Sequence, residues 1–233
     1  MSKAEAIDAL LESATFCFAR RGFDGASLRE IASQAGAPLS TIHMYFGSKA
    51  ELFVAATRRV WQEIDQERSQ LFRDARARSG EQLSLADLIY ALALPIVQRA
   101  MRRSRGDIAR ISVLRVNVSD RLKDDVRPLS LSARKTIAGW IDEMTRMCPD
   151  LDRDEVVWVY SLVISTIYSW QLIDHKYDHL LSGPDERSPE EVVADLVAFG
   201  CAGVQAIVKR RGKRSGLARE VDGQSSRSVQ PYL

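Results

Sequence analysis

Apolar residues recur at helical spacing through most of the chain. Between residues 4 and 21, Ile7, Leu10, Leu11, Ala14 and Phe18 share one side of a 3.6-residue helix, with charge on the other. Gly22 supplies its stop. Leu28, Ile31, Ala32 and Ala35 form a stripe of barely two turns that ends at Gly36. Pro38 starts a third short helix, whose fixed φ suits a first turn, and Ile42 and Phe46 lie on its inner face. A longer helix follows, with Leu52, Phe53, Ala56 and Val60 along one side. The chain then turns polar from about 62 to 82. Leu85, Leu88, Ile89, Leu92 and Ile96 define another helix, bent or interrupted at Pro95. Shorter helices are expected over 107–117 and 128–147. An apolar segment runs from Val156 to Ile173, and a last helix carries Val192, Val193, Leu196, Val197, Val204 and Ile207. Three Ser-x-x-Glu sequences, Ser27–Glu30, Ser48–Glu51 and Ser188–Glu191, have the form of capping boxes. No internal repeat precedes the tail. The fold class is all-α.

Composition narrows the class. The chain has 233 residues, 45% apolar and 27% charged, which describes a globular protein. Its three cysteines, Cys17, Cys148 and Cys201, exclude a disulfide scaffold and read as reduced thiols in a cytoplasm. The N-terminus lacks the layout of a secretory signal. The net charge of +2 conceals a gradient. Residues 1–50 are balanced, whereas residues 205–233 hold seven basic against two acidic side chains and lack apolar periodicity after Val208. That basic tail, 211–233, is expected to be disordered. The segment 156–173 carries no charge and is long enough to raise a membrane span. Ser161, Ser165, Thr166, Ser169 and Gln171 interrupt it, and aromatic residues lie within it, so burial between helices or at a subunit interface is the better reading.

The stretch Ser27 to Phe46, SLREIASQAGAPLSTIHMYF, is the informative one. Ala32 is small where two helices would cross. Gly36 sits where the turn needs φ > 0, and Ile42 would pack back between the helices. That is the layout of a helix-turn-helix, which holds its second helix outward for a DNA major groove.

Residues 4–60 resemble the N-terminal domain of the tetracycline-repressor (TetR) family of transcriptional regulators. The likeness rests on Arg21-Gly22-Phe23, Ser27-x-Arg29-x-Ile31-Ala32, Ala35-Gly36, the run Ser40 to Phe46, and Ser48-Lys49-x-Glu51-Leu52-Phe53. It implies a DNA-binding domain over 1–50, a helical effector-binding and dimerisation domain over 51–210, and no enzymatic activity or cofactor. It implies that Ser27 caps the second helix at a phosphate, that Ser40, Thr41 and His43 face base edges or phosphates, and that Tyr45 and Lys49 contact phosphates. Met44 could touch a thymine methyl. Pro38 and Leu39 stand where relatives often carry Ser or Thr and Lys, so a hydroxyl cap and one phosphate contact are missing.

In such a protein, helices at about 154–176 and 189–210 would pair with their symmetry mates, aided by small Ala198, Cys201 and Ala202. The dimer would bind a near-palindromic double-stranded operator. A small apolar or amphipathic effector would release it, and Tyr90, Trp140, Met144, Tyr168 and Trp170 are candidate lining. Two alternatives remain. His175 and His179, spaced i, i+4, could make a metal-responsive regulator of the same fold, although no second cluster supports a metal site. A helical structural protein that binds no DNA is the other. No phosphate-binding Gly loop, nucleophile elbow or HExxH appears, and no membrane partner is expected.

Overall fold

The computed structural model describes residues 2–79, 83–102, 104–114, 123–173 and 186–225; within these, the side chains of 105, 108, 111, 123–133, 170–173 and 212–225 lie outside the description. Among the described residues every regular element is a helix: α1 (Lys3–Gly25), α2 (Leu28–Gln34), α3 (Leu39–Phe46), α4 (Lys49–Ser79), α5 (Leu85–Arg102), α6 (Arg105–Val113), α7 (Lys123–Met147), α8 (Arg153–Ile173) and α9 (Pro189–Ser225). The all-α expectation holds.

Helices α1 to α3 close a small core with the first half of α4. Leu10, Ala14 and Phe18 of α1 are buried with Ile31, Ala32, Ile42, Leu52, Phe53, Ala56 and Val60. Phe18 and Phe53 meet edge to face at 5.1 Å between centroids, and Phe23 and Phe53 at 5.4 Å. Each such pair adds about 0.5–1.5 kcal/mol beyond simple burial. Ser13 Oγ donates to the Ile31 carbonyl at 2.9 Å, which ties α1 to α2 without leaving the buried hydroxyl unsatisfied.

Two expected capping boxes are present. Ser48 N donates to Glu51 Oε2 at 3.0 Å and Glu51 N to Ser48 Oγ at 3.1 Å. Ser188 and Glu191 do the same for α9. Ser2 and Glu5 form a further box at the start of α1. The third expected box fails. Ser27 is the N-cap of α2, but its side chain makes no capping hydrogen bond. The Glu30 carboxylate turns instead to Arg21 at 2.9 Å and accepts from Gln34. A full positive charge outcompetes a neutral backbone N–H.

Helix α4 departs most from expectation. It runs 31 residues, through the region that sequence alone marks as polar. Ile64, Arg68, Phe72 and Ala75 are buried along it, so its inner stripe continues past residue 60. Arg68 occupies one of those inner positions, which hides the period. Helix α9 also runs beyond its expected end near 210, through Ser225, so residues 211–225 are helical rather than irregular. Lys, Arg, Ala, Leu and Glu in that stretch are good helix formers without any apolar stripe. Residues 226–233 lie outside the described residues.

The larger domain packs α5 at its centre. Leu88, Ile89, Leu92, Ile96 and Val97 are buried, and α9 crosses α5 so closely that a Cβ on Gly200 would sit 2.9 Å from Ile89 Cδ1. Pro95 lies inside α5 without ending it.

Candidate nucleic-acid interface

The turn before α3 is built by Gly36, whose φ is +63°. A β-branched residue resists that conformation, and the expectation of positive φ at Gly36 holds. Ala37 N then donates to the Ala32 carbonyl at 3.0 Å, closing the end of α2. Helix α3 begins after Pro38, which is the N-cap rather than the first helical residue. Ile42 is fully buried and anchors α3 inward. The opposite face is open. Pro38, Ser40, His43 and Met44 are exposed, Met44 at 73%. Thr41 and Tyr45 are half-buried at the flanks, and Leu39 packs against the core as a partly buried residue.

At its far end α3 turns sharply into α4. Gly47 has φ +74° and ψ −63°, and Ser48 N donates to the Phe46 carbonyl at 2.8 Å. This is a γ-turn of positive φ, a strained conformation for any residue with a side chain. His43 Nδ1 lies 3.2 Å from the Gly47 carbonyl, which orients the imidazole and leaves its other nitrogen facing outward.

Two cations flank the open face. Lys49 is less free than sequence suggests: Nζ donates to the Asp24 carbonyl at 3.1 Å and lies 5.0 Å from the Phe23 ring centroid. Burial there lowers its pKa, and Asp24 partly offsets this. Lys49 thus ties α4 to the end of α1, and a phosphate would share it with that carbonyl. Lys3, not singled out from sequence, lies with Nζ 5.5 Å above the Tyr45 ring. The two are 42 positions apart, and no local pattern links them. Ser27 is exposed at the start of α2.

Charged side chains join this domain to the larger one. Arg110 of α6 reaches Glu12 of α1 at 2.8 Å and Glu63 of α4 at 3.3 Å. Arg59 bridges Asp8 of α1 and Glu63 at 3.2 Å each.

The candidate effector residues scatter. Trp140 and Met144 are buried on α7; Trp140 Nε1 donates to Asp65 Oδ1 at 3.1 Å and its ring meets Phe72 edge to face. Tyr168 of α8 is partly buried under the Arg68 guanidinium. Tyr90 is 37% exposed on α5, outside the buried stripe of Leu88, Ile89 and Leu92. The Trp170 side chain lies outside the described residues, as do His175 and His179. A cavity of about 430 Å³ opens between α4 and α7 and is lined by Asp65, Phe72 and Trp140 among others. Among the described residues no group of three or more His, Cys, Asp and Glu is placed to hold a metal.

A helix-turn-helix with its second helix exposed is now in place, and comparison with known proteins identifies it. A family model described as bacterial regulatory proteins, tetR family, matches residues 10–56. The chain carries, over residues 10–56, the N-terminal domain of the TetR family of bacterial regulatory proteins. It is a transcription regulator with an N-terminal helix-turn-helix DNA-binding domain. No curated protein sequence matches it. Among solved structures it is similar to NalD of Pseudomonas aeruginosa, described as the secondary repressor of the MexAB-OprM multidrug efflux pump. The two are 16% identical, with a TM-score of 0.60 over 87% of this chain and 98% of NalD. It is also similar to a TetR-like transcriptional regulator from Rhodococcus sp. RHA1, at 16% identity and a TM-score of 0.58 over 88% and 98% of the two chains. At such identities these likenesses speak to the fold of the chain along most of its length.

Proposed function

We propose that this TetR-family regulator works as a homodimer that leaves a near-palindromic operator when a small apolar or amphipathic molecule enters the larger domain. The observation that carries the reading is the outward face of α3: exposed Ser40, His43 and Met44 backed by fully buried Ile42. A helix held by one apolar anchor, with polar and soft apolar groups outside, suits a major groove. Ser27, Pro38, Leu39, Thr41, Tyr45 and Lys49 complete the assigned surface, and Lys3 joins it. With no Arg or Lys on α3, affinity leans on phosphate contacts from both subunits.

Residues 1–50 serve as the DNA-binding domain, 51–210 as the effector and dimer domain, and 211–233 as a basic extension. The dimer face is the outer side of α8 and α9. Trp158 is 61% exposed and Phe199 68%, with Val157 and Leu162 beside them. A groove of about 570 Å³ runs between the helices, lined by Leu162, Thr166, Phe199 and Gly203 among others. Large exposed apolar side chains in one patch mark a binding surface. Ala198 and Ala202, both exposed, allow close approach of a second copy. Residues Pro189–Arg211 of α9 form a helix long and apolar enough to cross a membrane. Pairing with a second copy accounts for that apolar outer side in a cytoplasmic protein.

The relay to DNA runs through α4, whose first turn holds Lys49 and whose inner stripe faces the effector core. A ligand that favours one tilt of α4 and α6 shifts the spacing of the two α3 helices through Arg59, Glu63 and Arg110. The repressor sign is suggested by NalD, described as a repressor. A gel-shift against DNA flanking the chain's own reading frame tests the reading. A discrete complex at physiological salt, with a footprint spanning two half-sites, is expected. Smearing with no competition by specific over random duplex would refute it.

A further inference from the structure

Helix α4 carries one guanidinium into the core without an ionic partner among the described residues. Arg68 is fully buried. Its Nε donates to the Leu92 carbonyl of α5 at 3.0 Å, which fixes the plane of the fork. Nη1 and Nη2 have no hydrogen-bond partner among the described residues. The guanidinium carbon lies 5.9 Å from the Tyr168 ring centroid. Asp65, one turn away on α4, accepts from Trp140 Nε1 at 3.1 Å instead of pairing with Arg68. Arg99 provides the contrast. It is 8% exposed, and its Nη1 donates to Glu67 Oε2 at 2.6 Å and to the Pro95 carbonyl at 3.0 Å. One buried arginine is paired with a carboxylate, and among the described residues the other keeps its carboxylate-matching edge open.

A buried charge with open N–H groups is costly unless something fills them. We propose that Arg68 anchors the carboxylate of an organic acid whose apolar body lies among α4, α5 and α8. This deepens, and rests on, the ligand-responsive reading above. Three features select the ligand class. A planar fork matches a carboxylate in bidentate fashion. A single guanidinium balances one negative charge, so a dianionic phosphate is left half-compensated in an otherwise apolar core. Buried Leu92 and Ile96 of α5 and Val163 and Ile167 of α8 supply that apolar setting. Tyr160 of α8 is also near: burial pushes its phenol up to about 12, and Arg68 opposes that rise. The hydroxyl therefore keeps its proton and can donate to an oxygen of the bound anion. Asp65 and Phe72, on either side of Arg68 along α4, line the 430 Å³ cavity between α4 and α7. Arg68 lies 19 residues along α4 from Lys49, about 28 Å on one continuous rod.

The test is thermal unfolding of the full chain with benzoate, phenylacetate, hexanoate and octanoate, each against its uncharged amide, for wild type, Arg68→Met and Arg68→Lys. At least one acid raises the wild-type Tm and its amide does not. Arg68→Met loses the response, weakening affinity on the order of 100-fold or more. Without ligand it melts no lower than wild type, since an uncompensated charge has been replaced by an apolar chain. The proposal is overturned if no acid of the four stabilises the protein, if acid and amide act alike, or if Arg68→Met keeps the response. If Arg68→Met does not fold, Arg68→Lys decides: undiminished acid affinity without the fork overturns the proposal, and a marked loss supports it. A gel-shift with the stabilising acid separates the two readings. Acid binding without any specific DNA complex leaves the anion site standing and removes the regulatory one.

Discussion

Replacing Gly47 with alanine isolates the turn that aims α3. The γ-turn holds this residue at φ +74°, and a Cβ there would meet Glu51 Oε2 at 2.5 Å. Holding a residue with a side chain in that region costs about 1–3 kcal/mol. Moving the Glu51 carboxylate also breaks the capping box at Ser48, adding about 1 kcal/mol. The substitution should therefore destabilise by about 2–4 kcal/mol, read from urea unfolding at one fixed protein concentration. Glu51→Ala removes the obstructing carboxylate. The double variant should then cost about 1 kcal/mol less than the summed single variants. Gly139→Ala is the internal control, since its Cβ meets nothing within 4 Å on helix α7; it should gain about 0.5–1 kcal/mol. A Gly47→Ala loss below about 0.5 kcal/mol would refute the reasoning, because backbone strain and cap would then both be dispensable.

Tyr45→Phe combined with Lys49→Ala should weaken operator binding by roughly 2–4 kcal/mol and flatten the salt dependence; an unchanged slope would remove both from the phosphate contacts. Phe199→Asp should convert a dimer to a monomer in analytical ultracentrifugation, whereas retention of the dimer would move the interface away from α8 and α9. Asp87 N donates to Ser84 Oγ at 3.3 Å at the start of α5, so Ser84→Ala should cost about 1 kcal/mol at pH 7 through loss of that cap. The Ser84 hydroxyl holds the Asp87 carboxyl below its ordinary 3.8, so its contribution is present above that pH and fades as pH falls through the lower folded value. The difference from wild type should shrink in acid, and a pH-independent difference would contradict the assignment.

What sequence made legible was local. Gly36, Ile42 and the Ser48–Glu51 box act within a few residues of themselves, so their spacing carries the geometry. What it concealed depends on partners distant in sequence. Ser27 and Glu30 have the spacing of a box, but Arg21 takes the carboxylate. Arg68 sits in an apolar stripe and made α4 read as ending early, although Ile64 and Phe72 continue the period around it. Lys3 reaches Tyr45 only through the folding of α1 against α3. Periodicity finds faces and says little about which neighbour each face meets.

The central claim is that α3 is a probe for duplex grooves, spaced by a two-fold dimer. A DNA-cleaving iron chelate attached at Met44→Cys, in a Cys201→Ser background, tests it most directly, since Met44 is the most exposed large apolar side chain on that helix. The account predicts two clusters of cuts in major grooves about one helical turn apart, roughly 34–36 Å. Cleavage spread evenly along the duplex, or none while the protein remains bound, would contradict it.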